Sequence, residues 1–372
     1  MRLVRWDTRN PPGNELPLAR YLAERLRPLG IEVEVLPITE ARGNLLARVR
    51  GTGARPGLVF CGHLDVVPPG SASWSRNPFG GEIDDGRLHG RGSCDMKGGV
   101  AAMIAAAASV AEAGRPLAGD LMIALTAGEE GEALGAGHFV AQGALAGCGG
   151  LVLAEPTNLD VLAAEKGVLW VEVTARGKAA HGATPHLGVN AVAAVADLLH
   201  EATRWSLPHA PHPLLDAPTL NVGTIRGGVK TSIVPDRCTV TLDFRTVPGQ
   251  NHQDLLSRVR AACNRLAAAR PGLGWEFRVV NELPPVETPV GAPLVRAAQE
   301  AAAAVTGERR PVRGAPYYTD GATLAPAFGL PMVICGPGNP ALAHQTDEWV
   351  PVDQLVQAAE LYARLAWQVL AA

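Results

Sequence analysis

Short apolar segments alternate with longer helix-like stretches through the first 160 residues of the chain. Segments 58–61, 121–126 and 151–154 are apolar, and each ends in a polar or glycine-rich loop. Segments 100–113 and 133–146 predict helices, and segment 14–29 predicts a helix that ends at Gly30. Short buried strands separated by helices predict an α/β fold whose mainly parallel sheet is covered on both faces.

The pattern changes at residue 168. Segment 168–176 alternates like a strand, and segments 220–225, 238–245 and 275–280 predict three more strands, with helices at 188–204 and 251–269. The order βαββαβ is that of a ferredoxin-like split βαβ unit. Helix 293–306, strand 332–335 and helix 352–370 then return to the first pattern. We therefore predict a catalytic α/β domain, 1–167 and 284–372, interrupted by an inserted α+β domain, 168–283.

Composition narrows the class of protein. The net charge of −3 argues against a nucleic-acid or anionic-membrane partner. No apolar run is expected to reach the roughly 18 residues of a membrane span, since the alanine-rich run after Lys97 is short and ends at Glu112. The N-terminus lacks the apolar segment of a secretion signal. Six cysteines without a CxxC pair are typical of reduced thiols in a cytoplasmic protein, although Cys61 or Cys94 could bind a metal.

Acidic and histidine side chains follow the ends of the predicted strands, or lie in the glycine-rich stretch GRLHGRGSCDMKGG. They are His63, Asp65, Asp95, Glu129, Glu130, Glu155 and His344. Ligands of open α/β sheets bind beyond the carboxyl ends of the strands. A mixed set of nitrogen and oxygen donors suits zinc or a similar divalent ion. The pattern therefore predicts a metal centre at this edge of the sheet.

The number of donors favours two metal ions. Three carboxylates and two histidines exceed what one tetrahedral ion uses alongside water. If one carboxylate bridges, each ion has three protein contacts, and three carboxylates with one hydroxide balance the charge of two divalent ions. Because glycine tolerates unusual backbone angles, the glycines around Asp95 allow that carboxylate to lie between the ions. Asp65 could hold the ring of His63 or simply occupy a turn.

The motifs HLDVVP, GRGSCDMKGG, TAGEE, AEPT and AHQTDE resemble the co-catalytic zinc aminoacylase and exopeptidase family. This family includes acetylornithine deacetylase, succinyl-diaminopimelate desuccinylase and glutamate carboxypeptidase, and the resemblance covers nearly the whole chain. It implies that Asp95 bridges two ions, that His63 and Glu155 complete one site, and that Glu130 and His344 complete the other. It also implies that Glu129 is the general base and that the peptide bond between Asp95 and Met96 is cis.

The resemblance extends to the inserted domain, where the stretch GKAAHGATP contains His181. It implies a homodimer formed through this domain, in which His181 polarises the substrate carbonyl in the partner subunit. Asn221 and Arg245 match residues that hold the backbone and the carboxylate of the substrate. His181 could instead be an ordinary loop histidine. Relatives usually have a longer first helix before VRWDTRNPPGNE, so we expect that the chain start is annotated late or clipped.

Taken together, the sequence predicts a cytoplasmic, metal-dependent hydrolase of amino-acid biosynthesis that cleaves the amide bond of a small N-acyl amino acid. Acetylornithine deacetylase and succinyl-diaminopimelate desuccinylase are the models for this activity. Two zinc ions are the expected cofactors, and cobalt is possible. A dipeptidase or carboxypeptidase with the same metals is an alternative. A catalytically inactive protein that binds a small molecule is a further one.

Overall fold

A computed structural model describes residues 1–131 and 133–372. The chain divides into two compact units: the first comprises Met1–Ala164, Val286–Ala315 and Thr319–Ala372, and the second comprises Glu165–Pro285 and Pro316–Tyr318. The predicted inserted domain, 168–283, begins three residues after Glu165 and ends two residues before Pro285. The segment 316–318 was expected in the first unit. It groups with the second, in which the backbone N–H of Lys166 donates to the carbonyl of Tyr317 and the guanidinium carbon of Arg245 lies 5.3 Å from the centre of the Tyr318 ring.

Helices and strands are numbered along the chain. The helices are α1 (Glu15–Leu26), α2 (Gly98–Glu112), α3 (Leu134–Gln142), α4 (Ala191–Ala202), α5 (His252–Ala268), α6 (Pro293–Thr306), α7 (Gly321–Phe328) and α8 (Val352–Leu370). The first eight strands are β1 (Glu32–Pro37), β2 (Gly43–Val49), β3 (Gly57–His63), β4 (Ile83–Asp84), β5 (Arg87–His89), β6 (Leu121–Thr126), β7 (Cys148–Leu153) and β8 (Leu162–Glu165). The others are β9 (Gly167–Arg176), β10 (Thr219–Gly227), β11 (Arg237–Thr246), β12 (Gly274–Leu283), β13 (Val286–Glu287), β14 (Arg313–Ala315), β15 (Met332–Ile334) and β16 (Trp349–Pro351).

The large sheet of the first unit has the order β1-β2-β6-β3-β7-β15-β8-β13, and β14 pairs with β8. Its centre is parallel: β3 pairs with β6 and β7, and β15 pairs with β7. The edges are antiparallel. On one side β2 pairs antiparallel with β1 and with β6, and on the other side β15 pairs antiparallel with β8. Every residue of β3 and β6 is buried, so both faces of these strands are covered. The predicted α/β class with a mainly parallel sheet is confirmed.

The first helix shows how the sequence sets an element and its end. Leu16, Ala19, Ala23 and Leu26 recur at helical spacing and form the buried face of α1. A short 3₁₀ turn follows, and Gly30 ends it with a φ of 73°, a left-handed angle that glycine adopts at little cost. The prediction that this helical segment ends at Gly30 is therefore correct.

One helical stretch is longer and more apolar than expected. Ser93–Glu112 spans 20 residues and contains an 18-residue window with a mean hydropathy of 1.3, which meets the length and composition of a membrane span. The expectation that no such run exists is wrong, because the turn Ser93–Lys97 adds to the length of α2. The window is 61% buried inside the protein, as in core helices, and is therefore weak evidence for a span.

The second unit is an antiparallel sheet of order β10-β11-β9-β12 with the helices α4 and α5. The chain order βαββαβ is the one predicted. Strand β11 alternates strictly, and its inward residues Cys238, Val240, Leu242 and Phe244 join the core with residues of both helices. The intervening residues, which include Arg245, lie on the opposite face of the sheet.

Candidate metal centre

The five predicted metal ligands come together in the first unit. His63 is the last residue of β3, Glu155 follows β7, and Asp95 lies in the turn before α2. Glu130 and His344 lie in the loops that follow β6 and β15. Two groups result, His63 with Asp95 and Glu155, and Asp95 with Glu130 and His344, and the potential ligand atoms within each lie within 4.8 Å of one another. Asp95 belongs to both groups.

The two carboxylate oxygens of Asp95 face different histidines. Oδ1 lies 3.0 Å from Nε2 of His63, and Oδ2 lies 3.3 Å from Nε2 of His344. On the first side, Glu155 Oε1 lies 3.8 Å from the same His63 nitrogen. On the second side, Glu130 Oε1 lies 2.9 Å from Nε2 of His344. Imidazole and carboxylate donors in this arrangement fit two borderline divalent ions that share one carboxylate.

Two glycines position the turn that holds Asp95. Gly92 has a φ of 82°, and a Cβ there would lie 2.5 Å from Cγ1 of Val66. A Cβ at Gly99 would lie 2.2 Å from the carbonyl oxygen of Ala154. The absence of side chains therefore brings the start of α2 against the end of β7. The peptide bond between Asp95 and Met96 is cis, as the resemblance implied.

Several carboxylates are buried close together in this site, and burial and neighbouring charges shift their pKa values. Burial raises the pKa of Glu155, and the charge of Asp95 adds to the effect. Burial would also raise the pKa of Asp95, but hydrogen bonds to His344 and His63 hold it below its ordinary value. Hydrogen bonds to Asp95 and Glu130 raise the pKa of His344 to about 10. Glu155 and His344 therefore favour their protonated forms, as expected where several carboxylates concentrate negative charge.

The Asp65 side chain organises the loop after β6. Its Oδ1 accepts the backbone N–H groups of Gly128 and Glu129, at 3.0 and 3.2 Å, and its Oδ2 accepts that of Glu130 at 3.2 Å. Asn10 donates to Oδ2 from Nδ2 at 2.9 Å. The ring of His63 is held differently, because its Nδ1 lies 2.9 Å from the backbone carbonyl oxygen of Asp65. One residue thus orients a histidine through its backbone and the acidic loop through its side chain.

Glu129 lies beside the donors but belongs to neither group found among the described residues. Burial raises the pKa of its carboxyl well above the ordinary value, and the charges of Glu155 and Glu130 act in the same direction while His63 opposes them. A carboxyl group with a raised pKa beside a metal centre is suited to accept and return a proton.

Sequence reasoning missed three polar residues that support this centre. Asn10 bonds to Asp65, and Glu348, paired with Arg91, accepts the backbone N–H of Asp95 at 3.0 Å. Arg91 lies in the motif GRGSCDMKGG and Glu348 in the motif AHQTDE. The presence of a charged residue beside a proposed ligand in each motif could have indicated their supporting role. Cys61 and Cys94 belong to neither donor group among the described residues, and burial raises the pKa of both thiols.

The other predicted site residues lie in the second unit. His181 is exposed, and its Nδ1 accepts the backbone N–H of Ala183 at 3.0 Å. Asn221 is exposed on β10, opposite Asp243 of β11. Arg245 donates from Nε and Nη2 to Asp243, at 2.9 and 3.2 Å, so its orientation is fixed.

Residues 59–368 match the model of a protein family described as Peptidase family M20/M25/M40. The chain belongs to that family. The resemblance found in the motifs is thereby confirmed, and the chain is an enzyme of the M20 metallopeptidase and amidohydrolase type. The M20 membership overturns the alternative of a catalytically inactive binding protein.

Named relatives and a solved structure extend the M20 comparison. The acetylornithine deacetylase of Edwardsiella ictaluri (strain 93-146) is 33% identical over 363 residues, covering 94% of this chain and 89% of that protein. A probable succinyl-diaminopimelate desuccinylase of Staphylococcus aureus (strain MRSA252) is 28% identical, covering 99% of this chain and 96% of that protein. The M20 family metallo-carboxypeptidase Sso-CP2 from Sulfolobus solfataricus has a TM-score of 0.82 at 20% identity, covering 99% and 97% of the two chains. That likeness concerns the fold.

Proposed function

We propose that this enzyme hydrolyses the amide bond of a small N-acyl amino acid, in the manner of acetylornithine deacetylase or succinyl-diaminopimelate desuccinylase. The observation that carries the proposal is the sharing of Asp95 between two donor groups beside Glu129. The similarity to an acetylornithine deacetylase at 33% identity supports the substrate class. We further propose a cytoplasmic role in amino-acid biosynthesis.

The donor groups define the proposed cofactor sites. His63 and Glu155 would hold one divalent ion, Glu130 and His344 would hold the other, and Asp95 would contact both. Zinc suits these ligands best, and cobalt is the second choice. Two such ions, when bound, supply Lewis-acid chemistry that polarises the scissile carbonyl and makes water acidic near neutral pH.

The enzyme's own residues then move the proton. Glu129 accepts it from the attacking water and returns it to the nitrogen of the leaving amine. Three hydrogen bonds from the backbone of residues 128–130 to Asp65 hold the loop segment from which the Glu129 side chain extends. His63 stays aligned because its Nδ1 meets the carbonyl of Asp65.

The second unit supplies the proposed recognition of substrate. Arg245 would bind the carboxylate of an N-acyl amino acid, and its pairing with Asp243 and stacking on Tyr318 support a fixed orientation. Asn221 would hold the substrate backbone. His181 would polarise the carbonyl from the partner subunit of a homodimer, a role that the resemblance supports.

A substrate panel tests the function. Protein stripped with a chelator and restored with zinc or cobalt is assayed on N-acetylornithine, N-succinyl-diaminopimelate and dipeptides, with Glu129→Gln as the matched inactive control. We expect hydrolysis of an N-acyl amino acid that depends on added metal. Cleavage of dipeptides alone would select the dipeptidase or carboxypeptidase alternative. Failure on every compound would contradict the proposal.

A further inference from the structure

Arg91 and Glu348 form a buried ion pair in the first unit. Arg91 is 1% exposed and Glu348 is fully buried, and Arg91 donates from Nη1 to Glu348 Oε2. Removing two charges from water is costly, and apolar residues of similar size in place of such a pair are often no less stable. Stability alone is therefore a weak explanation for this pair.

The remaining hydrogen bonds of the pair point to a second role. Oε1 of Glu348 accepts the backbone N–H groups of Cys94 and Asp95, at 2.8 and 3.0 Å. Nη2 of Arg91 donates to the backbone carbonyl of His344 at 3.2 Å. The pair thus joins the backbone of the shared carboxylate to the backbone of one of the two histidines.

The two donor groups differ in how firmly their elements hold them. His63 ends a fully buried strand, and Glu155 is buried just after another. His344 lies in a loop with a φ of 64°, and its side chain is 50% exposed. A non-glycine residue in the left-handed region needs support from its surroundings. The Arg91 hydrogen bond to its carbonyl supplies such support.

We propose that Arg91 and Glu348 are positioning residues that align Asp95 with His344 and so set the affinity of the second metal site. This inference rests on the proposed dinuclear centre. It assigns the pair to the group of Asp95, Glu130 and His344, whereas the group of His63, Asp95 and Glu155 keeps two of its three donors independently of the pair.

Zinc titration of the stripped protein, followed by calorimetry and by metal analysis, tests the inference without an activity assay. The variants are Arg91→Lys, which keeps the charge but not the forked geometry, and Glu348→Gln, which removes the charge. We expect two bound zinc ions in the unaltered protein. In both variants the weaker site should lose about 10- to 100-fold in affinity, as is typical for residues that orient metal ligands, while the tighter site changes little.

Two further proteins sharpen the test. Arg48→Met removes an arginine that pairs with Asp120 at 3.3 Å, away from the donor groups, and should bind both ions as the unaltered protein does. His344→Ala should lack the weaker site outright. Adding Glu348→Gln to His344→Ala should then cause little further loss of zinc affinity, since both changes act on one site.

Unchanged affinity for both ions in Arg91→Lys and Glu348→Gln would overturn the inference. Equal weakening of both sites, or a lower melting temperature in chelator without a selective loss, would assign the pair to the fold and overturn it too. If Glu348→Gln does not fold, Arg91→Lys carries the test. Fewer than two zinc ions in the unaltered protein would contradict the dinuclear centre itself, which is a separate result.

Discussion

The carboxylate of Asp65 accepts the backbone N–H of Glu129, with its Oδ1 3.2 Å from that nitrogen. The contact joins the segment just after β3 to the loop that follows β6. Asp65 therefore helps to position both His63 and Glu129, the proposed general base. Because Asp65 is fully buried and accepts three consecutive backbone N–H groups, it fixes the path of residues 128–130.

Replacing Asp65 by Asn should lower kcat about 10- to 100-fold with little change in KM. The amide keeps the size of the side chain but turns one acceptor into a donor that faces backbone N–H groups. Steady-state kinetics measure the effect. Asp120→Asn is the control, since Asp120 also accepts a backbone N–H, from Gly51 at 2.9 Å, outside the donor groups. An unchanged kcat in Asp65→Asn would refute the role of Asp65 in positioning the loop that contains Glu129.

Glu129→Gln should keep its metal and lose turnover. Glu129 is outside both donor groups, so the ligands stay intact, whereas loss of a general base typically costs 10²- to 10⁴-fold in rate. Metal analysis and kcat are measured on the same sample, with Glu112→Gln on the exposed side of α2 as the control. Turnover within a few-fold of the unaltered enzyme would rule out this role.

Zinc should stabilise the folded protein. The donor groups exist only in the native structure, so a free zinc concentration 100-fold above the dissociation constant should raise the free energy of unfolding by about 2.7 kcal/mol per site. Chemical denaturation with zinc and with chelator measures the difference. Asp95→Asn, which weakens both groups, should lose most of it. Equal stability with and without zinc would contradict the proposed metal centre.

His252 should make the second unit less stable in mild acid. Its Nε2 lies 2.9 Å from Oγ1 of Thr246, and burial lowers the pKa of the ring below 6.5, although Glu282 opposes the shift. The unfolded chain therefore binds a proton first, and stability present above pH 6.5 is lost as the pH falls toward the folded-state pKa. Urea unfolding at pH 7.5 and 5.5 should show a smaller pH effect in His252→Gln. An identical pH effect would disprove this origin.

Mixing His181→Ala with Glu129→Ala should restore part of the activity that each variant lacks. If His181 acts in the partner subunit, a mixed dimer contains one active site with both residues intact. Activity is measured after subunit exchange has been verified, and each variant alone is the control. Verified exchange without recovery would argue against a site shared between subunits.

The gathering of the five proposed ligand side chains could be predicted because it depends on a simple rule of topology. His63 ends one parallel strand and Glu155 follows another, and the carboxyl ends of such strands meet at one edge of the sheet. A short sequence motif marks each residue. The pair of Arg91 and Glu348 could not, because the two residues are 257 positions apart and only the folded loops bring them together. The roles of Arg245, Asn221 and His181 came from resemblance alone and stay predictions.

Parts of the fold were also beyond the sequence pattern. The hairpin of β1 and β2 was overlooked, and it gives the sheet an antiparallel edge. The segment Pro316–Tyr318 groups with the second unit through contacts made by its backbone and by a ring, which no periodicity reveals. Long buried strands were easier to predict, since a continuous apolar run is itself the signal.

The close packing of Gly99 against the backbone of Ala154 limits how this centre could be redesigned. The nearest obstacle to a methyl group at position 99 is main chain, which cannot rotate aside as a flexible side chain would. Alanine there would act as a wedge, driving the helix that follows Asp95 away from the strand that precedes Glu155. The spacing between Asp95 and Glu155 therefore depends on the lack of a Cβ atom at Gly99, a residue that is not itself a proposed ligand.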